Sequence, residues 1–392
     1  MRSLYITLIF ILSVSTAFSQ FGVDSVLAEI ERNNTTLAAF RKNADADKMG
    51  NKTNLLPENP EVGFNYLWGS PDVIGNRTDI SVTQSFDFPT AYMYKSQLAD
   101  LKNEQVEMQY KKQRFDILLE ANIICSELTY LNAMHSEFQK RLSNDLKIAN
   151  AYKRKMEVGE ATILEHNKAQ ISLLNTEKQL EQISIERDAA LQQLASLNAG
   201  NSLNYSDSVF VTTILEADFE QWFANAANNN PMLNWLKQEI AISSKEKKLQ
   251  VAQNLPKINA GYMSEKVVDE QFQGVTLGVS IPLWGNKNTV KYAKLKTEAV
   301  NSMEADAKVQ FYNEMKTFHG KANALQASIS DFKERIAGNN ILDLLDKAMQ
   351  KGEISLSEYY YELMVFYDNK EELLNMEKEL NITLAKLNKY SL

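Results

Sequence analysis

A single cysteine, Cys125, stands in the whole chain, which excludes a disulfide framework and a thiolate zinc site. Three scattered histidines make no dedicated histidine metal site, and no cofactor is called for. Proline is scarce as well: there are seven, and none between Thr90 and Asn230. Glycine numbers fourteen in 392 residues. A chain this poor in both turn-formers suits long helices better than a series of compact domains. Positive charge is not in excess either. The formal charge of −8 argues against a nucleic-acid partner, because phosphate binding needs basic patches. No Ser/His/Asp or Cys/His arrangement can be assembled and no phosphate loop occurs, so an enzyme is the least supported class. With 23% charged residues and a mean hydropathy of −0.35, the sequence is water-exposed and unlike a helical membrane protein.

The N-terminus carries an address. Arg2 precedes an apolar run over residues 4–12, too short for a spanning helix, which needs ~20 residues. Ala17 and Ser19 then occupy the −3 and −1 positions of a small-residue cleavage site. The expectation is a signal peptide over residues 1–19 and a mature chain starting near Gln20. The residue directly after the site is Gln20 and not cysteine, so no lipoprotein anchor is expected.

Two stretches dominate the rest of the chain. Residues 89–159 run from Pro89 to Gly159 with neither proline nor glycine between them, and residues 282–352 lie 193 positions later with the same length. At ~1.5 Å per residue, each would make a helix about 100 Å long. Gly320 and Gly338 interrupt the second and are expected to mark bends. Each stretch is preceded by an alternating segment: Val82, Gln84, Phe86 and Phe88 in one copy, Val275, Leu277, Val279 and Ile281 in the other. Each ends in a related phrase, Val158-Gly159-Glu160-Ala161-Thr162 or Lys351-Gly352-Glu353-Ile354-Ser355. Pro60 to Tyr66 parallels Pro256 to Tyr262 in the same way. The chain is an internal duplication. Residues 20–200 form the first repeat: a helix to about residue 55, a hairpin over 61–88, a long helix over 89–158 and a return helix over 162–197. Residues 201–216 are a linker. Residues 217–392 form the second repeat: a helix, a hairpin over 257–281, a long helix over 282–351 and a return helix over 354–389.

The strands read in two ways. Val62, Phe64, Tyr66 and Trp68 alternate with Gly63, Asn65 and Leu67, and Ile80, Val82, Phe86 and Phe88 alternate with Asp79, Ser81, Thr83, Ser85 and Asp87. Such alternation makes a half-buried sheet in a soluble protein, or a lipid-facing wall with a wet lumen in an outer-membrane barrel. Two hairpins give four strands, whereas single-chain barrels start at eight. In lipid an open sheet would leave unpaired backbone groups, so further chains would have to close it.

The order helix–hairpin–helix–helix, occurring twice, with Asn230-Pro231-Met232-Leu233 opening the second copy, a proline closing each second strand, and glycine at each tip, resembles the TolC-type outer-membrane efflux proteins. The first copy departs from that pattern with Asn34-Thr35 in place of Asn-Pro. The resemblance implies a mainly α fold with a small β part: duplicated coiled-coil hairpins and four transmembrane strands per chain, assembled into a trimeric β-barrel and α-barrel tunnel. It implies a homotrimer in outer-membrane lipid of a Gram-negative bacterium, reaching into the periplasm. The partners would be a periplasmic adaptor and an inner-membrane pump, and the channel would be a passive exit for metal cations or small toxic compounds. Residues 278–287, Gly-Val-Ser-Ile-Pro-Leu-Trp-Gly-Asn-Lys, resemble the CzcC-like branch linked to heavy-metal efflux. A periplasmic adaptor or a structural coiled coil is the competing class; an adaptor needs a lipoyl-like β-domain, and a structural coiled coil needs no lipid-type strands.

The same resemblance assigns site residues. Val158, Gly159, Glu160, Ala161 and Thr162, with Lys351, Gly352, Glu353, Ile354 and Ser355, would form the periplasmic tips that dock the adaptor. The plain alternative is that the glycines only reverse the chain. Glu165 and Glu358, each six residues after a tip glycine, would line a constriction, or else sit on a solvated helix face. Three residues after Glu358 the family carries a second acid, where this chain has Tyr361. His166, Met349, Met364 and Met376 fit packing better than a metal path.

Overall fold

The computed structural model describes residues 22–211, 215, 218–284, 286–336 and 340–391. The expected signal peptide and Gly338 lie outside these residues. Helix α1 (Val23–Asn33) and helix α2 (Thr35–Gly50) replace the single helix expected up to about residue 55. Asn34 separates them: it leaves the helical region at φ −62°, ψ 116°, and its side chain accepts the Leu37 N–H at 2.8 Å. Asparagine caps a helix better than it continues one. The second repeat has the same device, with Asn230 capping and Pro231 at the first turn between α5 (Phe219–Asn229) and α6 (Pro231–Gln253).

Strands β1 (Glu61–Leu67), β2 (Arg77–Phe86), β3 (Lys257–Val267) and β4 (Glu270–Ser280) form one antiparallel sheet in chain order. The two hairpins meet through β2 and β3, with Val82 opposite Tyr262 and Phe86 opposite Ile258. The helices continue this order. Below the sheet, α2 packs on α3 (Pro89–Glu157), α3 on α6, and α6 on α7 (Thr289–Ile336). Farther down, α4 (Ile163–Leu197) packs on α3, and α9 (Leu356–Leu387) packs on α3 and α7.

Helix α3 is 69 residues long, or ~100 Å. Pro89 stands at its first turn, where a missing N–H costs nothing. The matching expectation for residues 282–351 needs correction. There the helix begins only at Thr289, passes through Gly320 unbroken and ends at Ile336. Beyond it come non-helical Asn340 and a separate helix α8 (Ile341–Lys351). Residues 286–288 make a turn instead, with Lys287 N–H bonded to the Trp284 carbonyl and Asn288 at φ +67°. The run Trp-Gly-Asn-Lys-Asn is poor in helix formers, and asparagine tolerates the left-handed region.

Candidate functional site: an apolar-faced sheet and two helical tips

The sheet is two-faced. Cross-strand rows place Val62, Val82, Tyr262 and Val275 on one side, with Phe64 and Ile80, and with Phe86, Ile258 and Val279. These side chains face outward uncovered: Val275 is 83% and Leu277 82% exposed. The other side carries Gly63, Asn65, Asp79, Ser81, Thr83, Ser85, Asn259, Gly261, Glu265, Thr276 and Gly278, with Leu67, Met263, Val267 and Phe272 as its large apolar members. On that side Arg77 bonds Asp79 at 2.7 Å and Glu265 at 3.1 Å. A globular sheet buries its apolar face and wets its polar one; here no described residue covers the apolar face. The outer edges of β1 and β4 have no strand partner among the described residues. Eleven-residue strands tilted by about 45° rise ~26 Å, the height of the apolar band of a membrane barrel.

At the opposite end, both tips are built alike. Gly159 and Gly352 take φ of +80° and +75°, the left-handed conformation that ends a helix. The freed carbonyls are then met: Glu160 N–H bonds Lys155 O at 2.7 Å, and Glu353 N–H bonds Ala348 O at 2.9 Å. Val158, Glu160, Thr162, Lys351, Glu353 and Ser355 are exposed, as are both glycines, while Ala161 and Ile354 are half-buried. Val158, Ile163 and Leu164 leave a large apolar surface at the first tip. Lys168 Nζ donates to Ser357 Oγ at 2.8 Å and joins the two return helices.

Glu165 and Glu358 have a local task at these tips. Thr162 Oγ1 accepts the Glu165 N–H at 3.2 Å, and Glu165 Oε2 accepts the Thr162 N–H at 2.7 Å. Ser355 and Glu358 show the same pattern at 3.2 and 2.8 Å. Each glutamate closes a reciprocal capping box at the start of a return helix. The backbone N–H of Thr162, and then its hydroxyl, hold the Glu165 carboxyl below the ordinary value; Ser355 does the same for Glu358. Both boxes were open to sequence reading as Thr162-x-x-Glu165 and Ser355-x-x-Glu358. Tyr361 is exposed on α9, and Met349 packs in the apolar cluster above the tips with Ile148, Leu356, Tyr359 and Leu363. Among the described residues, no group of three or more His, Cys, Asp or Glu side chains could hold a metal ion.

The sequence reading missed a buried polar belt above that cluster. Arg141 on α3 is 7% exposed and lies between the rings of Phe138, at 4.2 Å, and Tyr367, at 4.0 Å. Its Nη1 donates to Glu371 on α9 at 2.5 Å. Glu137 accepts from Lys370, and Asp145 accepts the Thr176 hydroxyl of α4 at 2.6 Å. Burial raises the Asp145 carboxyl against the pull of Thr176 and Arg141. Tyr359 donates to Asp346 of α8 at 2.6 Å and accepts from Asn144 of α3 at 3.1 Å. Four helices, α3, α4, α8 and α9, are thus tied by polar contacts.

The fold as a whole is found in solved structures. The CusC transmembrane channel aligns at a TM-score of 0.78 and 14% identity, over 95% of this chain and 92% of its own. The Campylobacter jejuni CmeC outer membrane channel aligns at 0.70 and 15%, over 94% and 85%. The open state of the Neisseria gonorrhoeae MtrE outer membrane channel aligns at 0.70 and 13%, over 94% and 88%. The chain has the fold of these outer-membrane channels. The fold expected from the TolC-type resemblance is therefore the fold observed. By sequence, no family model and no curated protein matches the chain.

Proposed function

We propose that this chain is a TolC-type outer-membrane exit channel of a tripartite efflux system, passive and without catalysis. The observation that carries the reading is the sheet: its apolar face is uncovered, its polar face is lined with small residues, and both edges are open. Such a sheet is stable in lipid only when other copies pair its edges. Three copies give a twelve-stranded barrel, continued by helices of about 100 Å into the periplasm. The tips, residues 158–162 and 351–355, dock the periplasmic adaptor, and an inner-membrane pump delivers the cargo. That cargo is metal cations or small toxic compounds; residues 278–287, similar to the CzcC-like branch, favour metals.

Val82→Arg and Val275→Arg, which share the central row of the sheet, put a cation on the lipid side, at a cost of ~2–4 kcal/mol near the bilayer midplane. Heat-modifiable trimers should be lost from the outer-membrane fraction for these variants and retained for Ser81→Arg and Ser280→Arg. Equal damage on both faces would overturn the reading. Deleting the gene and testing sensitivity to zinc, cobalt, copper, bile salts and dyes identifies the cargo.

Glu165 and Glu358 supply six carboxylates near the axis of a trimer, a ring that attracts cations. Glutamine retains a capping box while removing its charge. Glu358→Gln should therefore weaken cation selectivity and trivalent-cation block in planar bilayers with assembly unchanged, and Glu165→Gln should act in the same direction. Wild-type selectivity in both variants would leave the glutamates as caps alone.

A further inference from the structure

Both strand-to-helix junctions lie at the helix end of the sheet, yet their chemistry differs. At the first, Pro89 opens α3 at once, and the Tyr92 hydroxyl accepts the Asp87 N–H at 2.8 Å. The Asp87 carboxylate holds Lys95 at 2.9 Å and Lys257 at 3.1 Å, so the local cations are paired. At the second, Ser280 stands where Asp87 would be, and no acidic residue occurs between Glu270 and Glu298. Four lysines fall in that interval. Lys296 is taken up by Glu239 and Glu246, and among the described residues Lys294 pairs with Glu298 alone, at 3.8 Å. Lys287 and Lys291 are exposed and make no ion pair among the described residues. The same segment carries Leu283, Trp284 and Tyr292, which are 72%, 73% and 70% exposed. They continue the uncovered apolar row of Val275, Leu277, Val279 and Ile281 out of the sheet.

We propose that Leu283 and Trp284 with residues 286–295 form an interfacial anchor that docks on the anionic phospholipid headgroups of the bilayer leaflet nearest the helices. The inference rests on reading the sheet as membrane-spanning, which puts this segment at the level of those headgroups. Tryptophan and tyrosine favour that level because each joins an apolar ring to a polar tip. Lysine stems lie along the apolar surface while their ammonium groups reach phosphate. With no acidic residue in their stretch of sequence and no ion pair among the described residues, Lys287 and Lys291 can meet an external anion, and a leaflet supplies many at once. The turn over residues 286–288 sets Trp284 and Lys287 side by side, bonded through their backbones.

The test reconstitutes the full-length protein and its K287Q/K291Q/K294Q variant into nanodiscs of phosphatidylcholine alone, or with phosphatidylglycerol as a minor component. The readout is the temperature at which the oligomer dissociates. Phosphatidylglycerol should raise it for the wild type at low salt, high salt should erase the rise, and the variant should show none while matching the wild type in phosphatidylcholine. A rise of the same size in the variant, or no rise in the wild type, overturns the proposal. A variant weakened equally in both bilayers overturns it too, and identifies this face as a seam between copies. Failure of the wild type to enter either bilayer removes the channel reading itself, and the anchor with it.

Discussion

The two repeats share a topology and differ in what they do mechanically. In the first, α3 runs unbroken for 69 residues and packs against α1, α2, α4, α6 and α9. In the second, the corresponding stretch becomes a turn, a 48-residue α7 and an 11-residue α8. Helix α3 holds the buried core along its length, from Ala91 and Leu98 near the sheet to Leu128 and Ile148 farther down. One copy of the duplication has thus become a strut and the other a jointed strip, joined to it through α6 and α9. Equal spacing preserves the order of elements, while a few substitutions decide where a long helix stays whole.

The sharpest break of this comparison is at Arg141, whose counterpart 193 positions later is the exposed Glu334. Arg141→Leu leaves Glu137, Asp145 and Glu371 without their shared cation inside the α3–α9 contact. Removing one partner of a buried pair costs ~3–5 kcal/mol. Denaturant melting of the refolded protein should show that loss, and Glu334→Leu should stay within about 0.5 kcal/mol of wild type. Comparable effects at the two sites would mean that α3 is no more of a strut than α7.

The junctions come next. Asp87→Asn removes the acceptor shared by Lys95 and Lys257, a charge-assisted contact worth ~1.5–3 kcal/mol. Ser280→Asn, at the matching position, should change the melting curve much less.

The tips should respond alike, because both are closed by the same box. Thr162→Ala and Ser355→Ala each forfeit an N-cap bond, about 1 kcal/mol, and hydrogen exchange should quicken in the first turns of α4 and α9 respectively. Acid sharpens this. Both glutamates titrate below 4.5 in the folded chain, so their contribution is complete above 4.5 and lost as pH falls through those lower values. Fraying at both tips on acidification, absent at pH 6, is the expected exchange pattern.

The smallest effect is at Gly320. It sits inside α7 with open space around its α-carbon, and its counterpart in α3 is Glu127. Gly320→Ala should raise stability by ~0.5–1 kcal/mol, seen as a higher melting temperature, since helix interiors favour alanine over glycine.

The elements were legible because their causes are local. Strand alternation, Pro89 at a first turn, and glycines with Thr or Ser and then Glu behind them are patterns a few residues wide, and each produced the element it signals. The division at Asn34 was less legible, since asparagine is tolerated inside helices as well as at caps. The late start of α7 was hidden because Pro282 alone also fits a first turn; the neighbouring Gly285, Asn286 and Asn288 outweigh it.

By itself the sequence determined the duplication, the length of α3 and the alternation that gives the sheet its two faces, because these are patterns along one chain. It could not mark Arg141, which reads as one more charged residue on a long polar helix. Only the packing of α9 onto α3, residues more than two hundred positions apart, closes Phe138 and Tyr367 over its guanidinium and brings Glu371 to its edge. Nor could it show that no described part of the chain covers the row of Val62, Val82, Tyr262 and Val275. Burial depends on which elements meet, and that is settled in three dimensions.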